Sequence, residues 1–216
     1  FGGTLLEWIK NFLSDRKHCT RVGEALSDYA PIISGVIQGS CLGPLLFLLY
    51  INDLPDIFDR SVTVKLYADD VKIYSVIGSR IDCNNFQVNL TKLYSWSTQW
   101  QLSISYNKCG IVHVAAPSWF TANEDRLTYE LGNNTLRSQV SVKDLGITID
   151  QSLKFSEHIT SICKAAHLRA NLIVRCFASG DRESMLKAFK AYVRPIVEYN
   201  SSIWSPTLKK YIDMIE

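Results

Sequence analysis

The sequence predicts an α+β chain, with strands and helices mixed through about residue 153 and helices alone from there to residue 216. Three observations carry that prediction. Val62–Tyr67 and Val71–Val76 are β-branched and aromatic runs on either side of Ala68-Asp69-Asp70, the pattern of a hairpin. Ser79–Gln101 places Phe86, Leu90, Leu93 and Tyr94, then Trp96 and Trp100, at helical spacing. From Phe155 onward only helical periodicity remains, over Phe155–Phe177, Arg182–Val193 and a Pro195-punctuated segment to Ile215. The expected division is therefore 1–153 and 154–216.

The remaining elements follow in order. Leu5, Leu6, Ile9, Phe12 and Leu13 recur as one helical face, so Thr4–Asp15 reads as an amphipathic helix. Thr4, with Glu7 three residues on, reads as its N-cap. His18–Ala25 and Ala30–Val36 read as extended. A glycine-punctuated turn, Ser34–Ser40, leads to Gly43-Pro44, which opens a strongly apolar helix through Asn52; proline suits a first helical turn because its missing N–H has no partner there anyway. Cys109–Ala115, Leu127–Leu131 and Val140–Ile149 read as strands, and Pro117–Asn123 as a loop.

Composition narrows the class. Hydrophobic residues make up 47% of 216, and 11 glycines and 6 prolines are too few for a disordered or collagen-like chain. The longest apolar run, Pro44–Ile51, is far too short to span a bilayer, so no membrane association is expected. Phe1-Gly2-Gly3 shows no initiator Met and no signal-peptide pattern, and the chain is expected to be soluble, intracellular, not secreted, and a fragment. The six cysteines are scattered without a CxxC pair or zinc-like spacing, which fits reduced thiols. Net charge is +2 overall but −3 over residues 1–70, +1 over 71–153 and +4 over 154–216. A basic C-terminal third suits a phosphate backbone, and it equally suits a solvated helical face.

The strongest chemical signal is Tyr67-Ala68-Asp69-Asp70. Adjacent carboxylates between apolar strands repel one another. A divalent cation relieves that repulsion, since Mg²⁺ takes carboxylate oxygens and keeps positions open for substrate phosphates. Aspartate is also common in ordinary turns, so the pair alone leaves both readings open. Trp96 and Trp100 read as core, and His158 and His167 as helix-surface or capping residues. Asp53 and Asp56 could approach a metal site, though a polar helix end explains them as well.

Several ordered motifs add to this pair. Ser34–Phe47, followed by Tyr50-Ile51-Asn52-Asp53-Leu54, resembles the segment before the catalytic hairpin in reverse transcriptases of non-LTR retrotransposons, with the Jockey-like group nearest. Tyr67–Asp70 resembles that family's catalytic YADD motif. Trp100-Gln101-Leu102 with Asn107-Lys108-Cys109 resembles the lysine motif that follows, and Asp144-Leu145-Gly146 with Leu153-Lys154-Phe155 the primer-grip region. Ala188–Tyr199 with Trp204-Ser205-Pro206 resembles the post-palm segment, and Leu5 to Arg16 fits the helix ahead of the glycine turn.

The resemblance implies a partial polymerase palm over 1–153, an antiparallel sheet with a catalytic hairpin and helices on one face, followed by a thumb-like helical segment over 154–216. It implies DNA synthesis on an RNA template from a DNA primer and deoxynucleoside triphosphates, at a two-metal Mg²⁺ site. Asp69 would be a direct metal ligand, and Asp70 would support the metal or shape the turn. Gln38 and Gly39 would lie against the nascent base pair. Lys108 would assist departing pyrophosphate, and Lys187, Lys190 and Arg194, with Lys209 and Lys210, would hold template–primer phosphates. The parent element would act in the nucleus; the oligomeric state is left open.

The sequence also departs from the family pattern. No strand carrying the family's first catalytic aspartate precedes the Leu5–Trp8 helix, so these residues are expected to be catalytically incomplete. Ile37 stands where the family usually has proline, and Ser105 where asparagine is common. The alternative reading is a decayed or domesticated remnant that binds nucleic acid without chemistry.

Overall fold

The computed structural model describes residues 2–115, 128–177 and 180–216. Its chain forms two compact units, Phe1–Trp100 and Gln101–Glu216. The loop expected at Pro117–Asn123 and the start of the Leu127–Leu131 strand lie outside the described residues.

The first unit opens with helix α1, Gly3–Leu13. Its N-cap is Gly2, with no side-chain cap, so Thr4 lies inside the helix and the expected Thr4–Glu7 capping box is not made. A two-stranded ribbon follows, with β1 (Lys17–His18) paired to β4 (Ala30–Pro31) and β2 (Arg21–Val22) paired to β3 (Ala25–Leu26). Between the two pairings the register slips by one residue, so Cys19 stands against Asp28 and Tyr29 as a bulge.

Helix α2, Gly43–Tyr50, starts at the expected glycine–proline pair but stays shallow. Leu45, Leu48 and Leu49 remain about half exposed, and only Gly43 is buried. A 3₁₀ turn at Leu54–Ile57 leads to the hairpin β5 (Thr63–Tyr67) and β6 (Asp70–Tyr74). Helix α3, Arg80–Gln99, begins with a capping box in which Ser79 and Asp82 bond each other's backbone N–H. The Ser79 hydroxyl, with backbone N–H groups behind it, holds the Asp82 carboxyl below its ordinary range.

Polar ties dock α3 onto the segment before the hairpin. Asn89 is fully buried, accepts the Asp59 N–H at 2.8 Å and donates to Asn85 O at 2.8 Å. The Trp96 indole donates to Asp53 at 3.2 Å, and the Tyr50 hydroxyl donates to Trp100 O. Ile51, Leu54, Leu90 and Trp96, from these same elements, are buried.

The second unit is built from short ribbons and a helical cluster. The expected Cys109–Ala115 strand shrinks to β7, Gly110–Ile111, paired in parallel with β10, Arg137–Ser138. Between them in sequence, β8 (Glu130–Leu131) pairs with β9 (Asn134–Thr135). The run expected as one strand over Val140–Ile149 is instead a hairpin, β11 (Ser141–Asp144) with β12 (Ile147–Asp150). Leu145 and Gly146 turn it, both at positive φ. Among the described residues every strand pairing is two-stranded.

Asp150 then caps the entry to helix α4, Ser156–Cys176, accepting the N–H groups of Ser152, Lys154 and Phe155. Helices α5 (Arg182–Tyr192), α6 (Arg194–Glu198), α7 (Ser201–Trp204) and α8 (Lys209–Ile215) complete the unit. Ile147, Ile159, Cys163, Trp204 and Tyr211 form its buried core. His158 joins that core at 4% exposure, which corrects the expectation of a surface or capping residue, while His167 does lie on the surface. The reason is periodicity: His158 shares a face with the buried Ile159, Cys163 and Ala166. All six cysteines are free thiols.

Candidate active site

Tyr67 and Asp70 close the β5–β6 hairpin as a directly opposed pair, leaving Ala68 and Asp69 as the two-residue loop. Side chains alternate across the ribbon. Val64, Leu66 and Ile73 are half-buried on one face, while Thr63, Lys65, Tyr67, Asp70, Lys72 and Tyr74 are exposed on the other. Both carboxylates therefore reach solvent at the tip of a narrow ribbon. Ala68 sits at φ +50°, a left-handed conformation that costs an alanine about 1 kcal/mol. The sharp turn is held against that preference by the ladder of five opposed pairs behind it.

Two adjacent carboxylates are hard oxygen donors of the type Mg²⁺ prefers, and they leave most of an octahedral shell for other ligands. No group of three or more His, Cys, Asp or Glu side chains placed to hold a metal occurs among the described residues. Asp53, exposed, accepts the Trp96 indole N–H on one carboxylate oxygen. Asp56 lies in the 3₁₀ turn, exposed.

Gln38 and Gly39 lie exposed in the glycine-bearing turn of the same unit. Gly39 takes φ +83°, which glycine adopts without strain. Gly43 is needed for a different reason: a Cβ there would lie 3.0 Å from both Ile37 O and Ser40 Oγ. Ser40 Oγ donates to Ile37 O at 2.7 Å and accepts the Gly43 N–H at 3.0 Å, fastening the turn to the start of α2.

Arg16 fastens the other end of this turn. Its Nη2 donates to Gly35 O at 2.7 Å and Ser34 O at 3.4 Å, and its Nε to Leu13 O at 2.9 Å. The buried Nη1 of the same guanidinium has no partner among the described residues. Sequence reading matched Arg16 to a motif but gave no sign of its target, which is 18–19 residues away.

The other expected site residues lie in the second unit. Lys108 is exposed at the end of a 3₁₀ turn, Tyr106–Lys108. Lys187 pairs with Glu183 at 2.6 Å, and Arg194 with Glu198, each one helical turn away. Lys190 is exposed on α5. The Leu145–Gly146 turn is braced by Tyr199, whose hydroxyl donates to Leu145 O at 3.0 Å and whose ring lies 3.3 Å from where a Gly146 Cβ would be. Sequence reading placed Tyr199 in a motif without revealing this brace.

His158 Nδ1 accepts the Thr148 N–H at 3.3 Å, so its proton sits on Nε2. Its ring meets Trp204 edge-on at 5.4 Å. Burial, with Lys143 nearby, holds the imidazole below its ordinary pKa. It is neutral and structural.

Comparison with known proteins identifies relatives of the chain. The chain is 26% identical over 96% of its length to the "RNA-directed DNA polymerase from mobile element jockey" of Drosophila melanogaster, covering 23% of that protein. It is 25% identical over 98% of its length to the protein of the same description from Drosophila funebris, covering 24% of it. It is 29% identical over 96% of its length to the "Probable RNA-directed DNA polymerase from transposon BS" of Drosophila melanogaster, covering 24% of that protein. The chain thus spans about a quarter of the length of these relatives. No solved structure matches it. Residues 2–149 match the family described as "Reverse transcriptase (RNA-dependent DNA polymerase)", and with both acidic residues of the hairpin inside that span, the chain belongs to the reverse transcriptase family.

Proposed function

We propose that these 216 residues are part of the RNA-directed DNA polymerase of a non-LTR retrotransposon, with a partial palm over 1–153 and a thumb-like segment over 154–216. The observation that carries this reading is the YADD turn: two solvent-facing carboxylates, one on a strained two-residue loop and one at the first strand position after it, at the end of a ribbon whose half-buried face carries Val64, Leu66 and Ile73. Asp69 acts as a direct ligand of a divalent cation, and Asp70 orients the turn or adds a second contact. Bound Mg²⁺ supplies charge neutralisation of the incoming triphosphate and a more acidic primer 3′-hydroxyl. Gln38 and Gly39, on a turn fastened at both ends, offer backbone to the nascent base pair. Lys108 gives charge or a proton to pyrophosphate. Lys190 is available for template–primer phosphates, whereas Lys187 and Arg194 must first leave their glutamates.

Two carboxylates do not complete a two-metal site, and the isolated 216 residues do not polymerise on this reading. Filter binding of an RNA–DNA primer–template between about 50 and about 200 mM salt should show steep loss of affinity. Salt-insensitive or absent binding contradicts the nucleic-acid reading. Primer extension by the same chain, with Asp69→Ala as control, should show no incorporation. Robust Asp69-dependent synthesis supports the polymerase and overturns its incompleteness. The alternative, a remnant that only binds, predicts that a supplied first-motif segment restores nothing.

A further inference from the structure

We propose that Arg16 is a positioning residue: its guanidinium sets the pose of the 34–40 turn, and through that pose the fit of Gln38 and Gly39 to the terminal base pair of a primer–template; this rests on the polymerase reading above.

One side chain converges on three backbone carbonyls. Nη2 donates to Gly35 O at 2.7 Å and to Ser34 O at 3.4 Å, and Nε donates to Leu13 O at 2.9 Å. Leu13 is the last residue of α1, so the planar fork ties the end of that helix to the start of the turn. The backbone of the same residue is tied as well. Arg16 O accepts the Ile32 N–H at 2.8 Å, which extends the β1–β4 pairing by one step. Ile32, Ser34 and Gly35 are thus all laid against one residue. The turn is tied again at Ile37, whose carbonyl accepts the Ser40 hydroxyl at 2.7 Å. Gln38 and Gly39 stand between Ile37 and Ser40, so Arg16 on one side and Ser40 on the other set their direction.

The clamp adds less to stability than its bonds suggest. Ser34 and Gly35 are exposed, so water can replace the guanidinium at both carbonyls. The buried Nη1, with no partner among the described residues, costs stability. Water cannot replace direction. A planar fork fixes the angle between the carbonyls it bridges, whereas a lysine ammonium is a point with the same charge. A backbone that must meet a base pair needs that direction, because a displacement of about 1 Å is enough to spoil such a contact. The donors of Arg16 face carbonyl oxygens, so its effect on binding should lack the salt dependence of a phosphate contact.

The test is fluorescence anisotropy of the full 216-residue chain with labelled RNA–DNA primer–templates, matched or mismatched at the primer end, across a salt series. The proteins are the wild type, R16K, R16Q, G35A and R16Q/G35A. The wild type should favour the matched end by about threefold to tenfold, the worth of one hydrogen bond. R16Q and R16K should both abolish that preference and leave the slope of log affinity against log salt unchanged. G35A strains the φ of +74° while leaving Arg16 intact, and it should abolish the preference too. R16Q/G35A should be no worse than either single variant, since both act through one turn. A merely structural Arg16 would lower the Tm and leave the matched-to-mismatched ratio alone. Should R16Q not fold, R16K and G35A carry the same test. Preference retained in either Arg16 variant overturns the assignment and leaves the polymerase reading standing, as does a slope lowered by about 1, the mark of a lost phosphate contact. Wild-type binding without any preference also overturns it. Absence of salt-dependent binding by the wild type overturns both.

Discussion

Ala68 concentrates the residue-scale physics. Its φ of +50° is one that alanine rarely takes, and it lies next to the two carboxylates. Strain kept beside reactive groups is a mark of function more than of folding. Ala68→Gly should raise stability by about 1 kcal/mol in urea titrations, since glycine adopts this conformation without steric cost. An unchanged or lower midpoint would show that the turn is not strained. His158 makes a second residue-scale prediction. Its folded pKa lies below the ordinary imidazole value, so the unfolded chain binds the proton first. Stability is therefore fully present above the ordinary imidazole pKa and is lost as pH falls towards the folded one. Urea midpoints should fall from neutral pH to about pH 5, and His158→Gln should flatten that slope. A wild type with no pH dependence in this window contradicts it.

At the scale of elements, local chemistry and tertiary setting decide different things. The β5–β6 hairpin was legible because two β-rich runs flank a short polar turn, and the structure closes it on a two-residue loop. Helix α3 was legible from its aromatic and leucine spacing, and its start at Ser79 is fixed by the reciprocal bonds with Asp82. Ser79→Ala should cost about 1 kcal/mol of stability, read from thermal melts, and an effect near zero would mean the cap is not formed in solution. Elsewhere the pattern misled. Val140–Ile149 read as one strand because β-branched residues recur at both of its ends, yet Leu145, in the Lys143–Gly146 stretch between them, takes φ +45° and reverses the chain. Tyr199, 54 positions away, receives that reversal. No window of a few residues contains such a partner. Thr4 looked like a cap because its residue type suits one, but the backbone enters the helix two residues earlier, at Gly2.

Across the whole molecule, the candidate site was legible as a list of residues and much less so as an arrangement. Asp69 and Asp70 stand where the hairpin pattern put them, exposed at its tip. Gln38 and Gly39 lie in the same compact unit, on a turn whose anchoring by Arg16 no local pattern could announce. The cations expected to grip nucleic acid divide into those held by glutamates, Lys187 and Arg194, and Lys190, Lys209 and Lys210, which are exposed. That division needed helical geometry as well as charge counting. No helix among the described residues is long and apolar enough to cross a membrane.

The claim on which all of this turns is that Asp69 and Asp70 together hold a divalent cation. Titrating Mn²⁺ into the ¹⁵N-labelled chain and following paramagnetic line broadening tests it most directly. Broadening should begin at the amides of residues 67–71 and vanish from them in D69N/D70N. Broadening that starts at another acidic group, or that survives both substitutions at the hairpin, would contradict the account.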